Sequence, residues 1–278
     1  MLPPIASRFV AGETAAEAIE HAFQANKDGL GVIINLLGEH YTEIGPVRED
    51  TATYTGLIDD IERTGIDACI SIKPTQLGLD IGEGVFREHL GEIIDRATAA
   101  DAFVWIDMEG SETTDATIEA FEAMADRHGH GVGLCLQSNL KRTAADIERL
   151  ASVPGKIRLV KGAYREPPEI AYQDSSRVNE RYRADLEALV RSHDAGVAVG
   201  SHDPAMIQYA QDLHAIHGTP LEFQLLMGVR PDTQRALAED YPTYQYVPYG
   251  SRWFSYFSRR VLERTENLTF AARAILGR

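Results

Sequence analysis

Short apolar runs recur along the chain, each closed by a polar residue and followed by a segment of helical spacing. They occupy 31–37 (GVIINLL), 68–72 (ACISI), 103–106 (FVWI), 132–136 (VGLCL), 157–160 (IRLV), 196–199 (GVAV), 221–226 (LEFQLL) and 244–247 (YQYV). Most are nearly unbroken rather than alternating, the pattern of parallel strands covered on both faces. Between them, segments such as 115–127 and 177–195 carry helical spacing. Eight strands alternating with helices predict a (β/α)8 TIM-type barrel, one α/β domain over 1–278 with strands from about 31 to 248. An extra helix near 14–26 precedes the first strand, and a C-terminal helix over 252–276 lies across the barrel mouth. A doubly wound open sheet is the competing arrangement, but no GxGxxG follows any strand, so a dinucleotide fold of that kind has no support.

In such barrels the chemistry sits where strands end at the C-terminal face. The residues leaving the eight runs are Glu39, Lys73, Asp107 with Glu109, Gln137, Lys161 with Tyr164, His202 with Asp203, Gln224 with Met227, and Tyr249. A lysine ending a barrel strand is either a Schiff-base nucleophile or a fixed cation for an anion. With candidate carboxylates around Lys73 and Arg158 three residues before Lys161, the cation role is assigned to both. In the last helix Arg259 and Arg260 are adjacent, Tyr256 and Arg260 stand at i,i+4, and so do Arg259 and Glu263. Two neighbouring guanidiniums can grip one carboxylate by bidentate hydrogen bonds, with Glu39 or Glu263 fixing their orientation. The residues by themselves describe a rim that binds a small carboxylate and a polar, planar cofactor; the reaction does not follow from spacing.

Composition narrows the partners. Asp and Glu number 42 against 27 Lys and Arg, a net charge of −15. That field repels a phosphate backbone, so no nucleic-acid partner is expected. The same surplus, with only 5 lysines, suits a high-salt cytoplasm in which screening removes carboxylate repulsion. No apolar run is long enough to span a bilayer and no signal peptide is apparent, so a cytoplasmic location is expected. Cys69 and Cys135 each lie within an apolar run and are read as buried, unpaired thiols. His202-Asp203 and His193-Asp194 are isolated pairs lacking a third ligand at metal-site spacing, so no metal is assigned.

The segment 158–164 (RLVKGAY) with Glu166, and 256–267 (YFSRRVLERTEN), together resemble the proline dehydrogenase family. Further matching fragments run in order: 37–39 (LGE), 71–74 (SIKP), 106–109 (IDME), 135–137 (CLQ), 201–203 (SHD), 224–228 (QLLMG) and 247–250 (VPYG). The resemblance implies FAD-dependent oxidation of L-proline to Δ1-pyrroline-5-carboxylate, with hydride passing from proline C5 to flavin N5 and electrons going on to a quinone-type acceptor. It implies that Lys73, Tyr249, Arg259 and Arg260 hold proline, with Tyr249 over the ring. Glu39 would pair with Arg259, Asp107 would be the charge partner of Lys73, and Glu263 would support the arginines. Gln137, Arg158, Lys161, Tyr164 and His202 would contact FAD. The chain departs from the family at Ser138-Asn139, where Ala and Tyr are frequent. Relatives that add an aldehyde dehydrogenase domain and a DNA-binding segment are longer, so a separate pyrroline-5-carboxylate dehydrogenase is expected downstream. A quinone acceptor would bring the chain to the inner membrane face, although no basic amphipathic helix announces that contact. Rival readings are an aldolase-like barrel using Lys73 or Lys161, a folate-linked flavin barrel, and a noncatalytic carboxylate-binding barrel.

Overall fold

The computed structural model describes residues 3, 6–254 and 256, and it closes eight parallel strands into a barrel in sequential order. The strands are β1 (Gly31–Leu36), β2 (Ala68–Ile72), β3 (Val104–Ile106), β4 (Val132–Gln137), β5 (Lys156–Val160), β6 (Val197–Gly200), β7 (Leu221–Leu226) and β8 (Thr243–Tyr249). Register closes the ring by pairing Ile33 with both Cys69 of β2 and Tyr246 of β8. The helices joining consecutive strands are α2 (Ile44–Thr64), α3 (Glu83–Ala99), α4 (Thr114–His128), α5 (Thr143–Leu150), α6 (Ser175–Ser192), α7 (Pro204–His217) and α8 (Pro231–Ala238).

The expected extra helix is α1 (Ala15–Lys27), opened by a capping box in which Thr14 and Glu17 satisfy each other's backbone N–H groups. It buries Ala18, Ile19, Ala22 and Ala25. Its His21 meets Gln245 of β8 at 2.6 Å, which sets the helix against the outside of the barrel seam. Strand β6 starts one residue later than its apolar run, at Val197; Gly196, at φ +107, still accepts from the Ile157 N–H of β5. Residues 253, 254 and 256 are helical after β8; Arg259, Arg260, Glu263 and the rest of the expected C-terminal helix lie outside the described residues.

Alternation along the strands separates two layers. Val32, Ile34, Ile70, Ile72, Val104, Ile106, Val197 and Val199 face outward and join the helices in the main core. Ile33, Cys69, Trp105 and Ala198 face inward and form a separate small cluster with Phe103, Tyr244 and Tyr246. The inner layer is therefore not apolar throughout, as the unbroken runs suggested. Ser71, Arg158, Glu222 and Gln224 are buried on inward positions and fill the interior with hydrogen bonds. Both cysteines are free and buried. No helix among the described residues is long and apolar enough to cross a membrane.

Candidate active site

A buried guanidinium is the centre of the inner layer. Arg158, mid-strand in β5, is 4% exposed and lies between two rings, 4.9 Å from the Trp105 centroid and 5.7 Å from that of Tyr246. Its Nη1 donates to Gln224 Oε1 at 3.0 Å, and its Nη2 is ion-paired with Asp107 Oδ1. Burial is the largest influence and disfavours the cation, but Asp107, Cys135 and Tyr246 together outweigh it and leave the Arg158 pKa raised. The same Asp107 Oδ1 accepts from Ser71 Oγ at 2.8 Å, and Oδ2 accepts from the Tyr246 hydroxyl at 2.7 Å. Burial and then the Asp107 charge push the Tyr246 phenol well above its ordinary value, so it stays protonated.

Two sequence expectations are corrected here. Among the described residues Asp107 is ion-paired with Arg158 rather than with Lys73, and it also accepts from Ser71 and Tyr246. Lys73 acts on the buried Glu109 carboxylate, whose charged form it favours. Glu109 is 1% exposed and accepts from the Thr75 backbone N–H and hydroxyl, each at 2.8 Å. Burial raises its pKa against those bonds and against Lys73. Secondly, Tyr249 does not reach this group. It is 1% exposed within the outer core, its hydroxyl has no hydrogen-bond partner, and burial with the nearby Asp50 charge raises its pKa. The strand alternates sides, so Tyr246, not Tyr249, joins the barrel interior. Sequence reasoning missed Tyr246, although inward alternation from Tyr244 would have found it.

Strands β4 to β6 bring the remaining candidates to one side of the rim. Gln137 closes β4, 3% exposed, and its Nε2 donates to the Glu109 carbonyl at 2.8 Å. Lys161 follows β5, and its Nζ donates to Asp203 Oδ2 at 2.7 Å. Asp203 also caps α7 through the Ala205 N–H at 3.0 Å, so one carboxylate anchors a helix start and a lysine. Despite some burial, Lys161 and the Ala205 N–H leave its pKa lowered. His202 Nε2 accepts from the Leu226 N–H at 2.8 Å, which assigns the neutral ring's proton to Nδ1. Burial, then Arg230, depresses its pKa to about 4. Tyr164 stands half-buried in the loop after β5, and Glu39 half-buried in the loop after β1. That β5 loop is latched to the β3 side, where Ser111 donates to Glu166 from both N and Oγ, at 2.8 and 2.7 Å.

The donor set suits an electron-rich, anionic cofactor. Gln137, Arg158, Lys161 and His202 come from three adjacent strands or their exits, and His202 offers an Nδ1–H. Asn139 Oδ1, buried beside Gly162, has no hydrogen-bond partner and is an acceptor of the kind that N–H and hydroxyl groups need. Lys73 and Asp107 directly follow β2 and β3, and Tyr246 stands on β8, across the interior.

Known proteins resemble this chain over almost all its length. The family model described as proline dehydrogenase matches residues 18–273. Proline dehydrogenase 1 of Bacillus subtilis subsp. natto is 34% identical over 275 residues, which cover 98% of this chain and 90% of that protein. The proline dehydrogenase of Deinococcus radiodurans is 35% identical over 283 residues, with the same two coverages. Among solved structures, proline utilization A from Bdellovibrio bacteriovorus inactivated by N-propargylglycine matches 95% of this chain with a TM-score of 0.87 at 20% identity. The Bradyrhizobium japonicum protein, as its D778Y mutant, matches 96% with a TM-score of 0.80 at 21% identity. This chain spans about a third of the length of those two proteins, and at such identities the likeness shows the fold.

Proposed function

Because the chain belongs to the proline dehydrogenase family, we propose that its barrel mouth oxidises L-proline to Δ1-pyrroline-5-carboxylate with bound FAD. The observation that carries this reading is the division of the interior around Arg158, with donors for a cofactor on β4 to β6 and Lys73, Asp107 and Tyr246 opposite. Bound FAD would supply the hydride acceptor for proline C5, with a quinone-type acceptor as the onward destination of the electrons. Gln137, Arg158, Lys161, Tyr164 and His202 are the residues that would hold it. A cation near the flavin pyrimidine favours the charge gained on reduction, and buried Arg158 suits that role.

The substrate side works by placement. Lys73 offers a cation to the proline carboxylate, joined in this proposal by Arg259 and Arg260, with Glu39 and Glu263 as their supports. Tyr246 replaces Tyr249 as the aromatic wall. Neither Asp107 nor Tyr246 is free to act as a base, since the carboxylate is engaged on both oxygens and the phenol holds its proton. In this reading the amine arrives neutral, and the protein contributes chiefly orientation. The test is the visible spectrum of the purified protein before and after anaerobic L-proline. Flavin bands that bleach support cofactor and substrate together. Bands that persist remove proline as the reductant. No bands after FAD addition in high salt would favour a flavin-free barrel, whose aldolase form would be trapped by borohydride.

A further inference from the structure

Beneath the rim, Arg158 is also held from the opposite end of the barrel. Gln224 Nε2 donates to Glu222 Oε1 at 2.7 Å, and Lys156 Nζ donates to Glu222 Oε2 at 2.6 Å. Gln224 and Glu222 are 4% and 7% exposed, and Lys156 lies 5.3 Å from the Phe103 ring centroid. The order of groups is therefore Lys156, Glu222, Gln224, Arg158, Asp107. An ammonium and a guanidinium only donate, and a carboxylate only accepts. The Gln224 amide between Glu222 and Arg158 satisfies both in one of its two orientations, with oxygen toward Arg158 and nitrogen toward Glu222. Turned over, it would set its NH2 against the guanidinium and its oxygen against the carboxylate.

We infer that Glu222, acting through Gln224, is a positioning residue that fixes the Arg158 guanidinium from beneath the active site. Asp107 holds Nη2 where substrate and cofactor enter, and the Gln224 amide holds Nη1 away from them. Lys156 balances the Glu222 charge, so the column sets geometry without adding net charge below Arg158. Removing Glu222 frees the amide to turn and releases one side of the guanidinium.

The inference rests on Arg158 being a flavin-facing cation, and the experiment separates the two. The FAD midpoint potential, proline kcat and KM, and Tm are measured on FAD-loaded wild type, Glu222→Gln, the charge-balanced Lys156→Met/Glu222→Gln pair, Arg158→Met, and Glu222→Gln in the Arg158→Met background. A lost anion acting only through its field raises the potential, whereas a displaced guanidinium lowers it, as Arg158→Met does. Both Glu222 variants are expected to lower the potential and to cut kcat roughly tenfold. The proline KM should stay within about twofold of wild type. In the Arg158→Met background, Glu222→Gln should no longer lower the potential, since only the field of the lost anion remains, and that field raises it. A raised or unchanged potential in the Glu222 variants, with a lowered one in Arg158→Met, overturns the inference alone. An unchanged potential in Arg158→Met overturns the flavin-facing reading and the inference with it. If Glu222→Gln does not fold, the charge-balanced pair carries the same comparison.

Discussion

Tyr246 and Tyr249, three positions apart on β8, have opposite fates, and that difference is measurable. Tyr246 donates to a buried, ion-paired carboxylate, a bond worth roughly 1.5–3 kcal/mol. Tyr246→Phe is expected to lower kcat/KM for proline by about tenfold or more, read in steady-state assays. Tyr249 buries a hydroxyl without a partner. Tyr249→Phe removes that cost, so Tm should rise by the equivalent of about 1 kcal/mol with proline kinetics unchanged. A large KM increase in Tyr249→Phe would return that residue to the substrate. His202 supplies a pH signature. Its folded pKa, about 4, lies below the ordinary histidine value, so the unfolded chain binds more protons between the two. Its contribution to stability is complete above about pH 6.5 and is lost as pH falls toward 4. Urea midpoints across that window should fall less steeply in His202→Gln, whose amide oxygen can still accept from Leu226. Equal slopes would remove His202 as the titrating group.

Among the elements, loops rather than strands set the shape of the mouth. Gly162, directly after Lys161, has φ +111, and a Cβ there would collide with the Asn139 side chain at the end of β4. Gly162→Ala combines backbone strain with that collision and should cost roughly 1–3 kcal/mol. Weaker FAD retention on gel filtration is expected with it, since the two loops carry the cofactor-side candidates. The segment following Gly162 is tied down at two points, by Glu166 to Ser111 and by backbone bonds from Lys141 to Ile170 and from Tyr172 to Asn139. Glu166→Ala removes the first tie and should speed limited proteolysis within 162–174, with Tm little changed because the barrel strands are untouched.

For the molecule as a whole, charge and topology act separately. Arginines bridge acids on neighbouring helices, as Arg96 does with Asp59 and Glu62, yet 42 acids against 27 bases leave a net charge of −15. Self-repulsion of that size is screened as the Debye length falls from about 10 Å at 0.1 M salt to about 3 Å at 1 M. Thermal unfolding is therefore expected to move to higher temperature as salt rises. Full stability in dilute buffer would remove the high-salt reading.

The barrel was legible because parallel strands covered on both faces read as nearly unbroken apolar runs, and segments of helical spacing recur between them. Five site candidates at strand exits, Lys73, Asp107, Gln137, Lys161 and His202, could be located from those runs, whereas Arg158, mid-strand in β5, came only from the family resemblance. Side-chain partners could not. Whether Asp107 meets Lys73 or Arg158 depends on distances across a closed barrel, between strands far apart in the chain. Whether Tyr246 or Tyr249 faces inward depends on strand register, and a one-residue change in facing exchanges core for site. By itself the amino-acid sequence determined the order of elements, the acidic balance of charge and the polar residues that leave the strands, all of which follow from local pattern and composition. Only the tertiary structure decided the pairing of Asp107 with Arg158, the burial of Tyr249 and the column from Lys156 to Gln224, because each arises where closure brings side chains of distant strands into one enclosed, low-dielectric space.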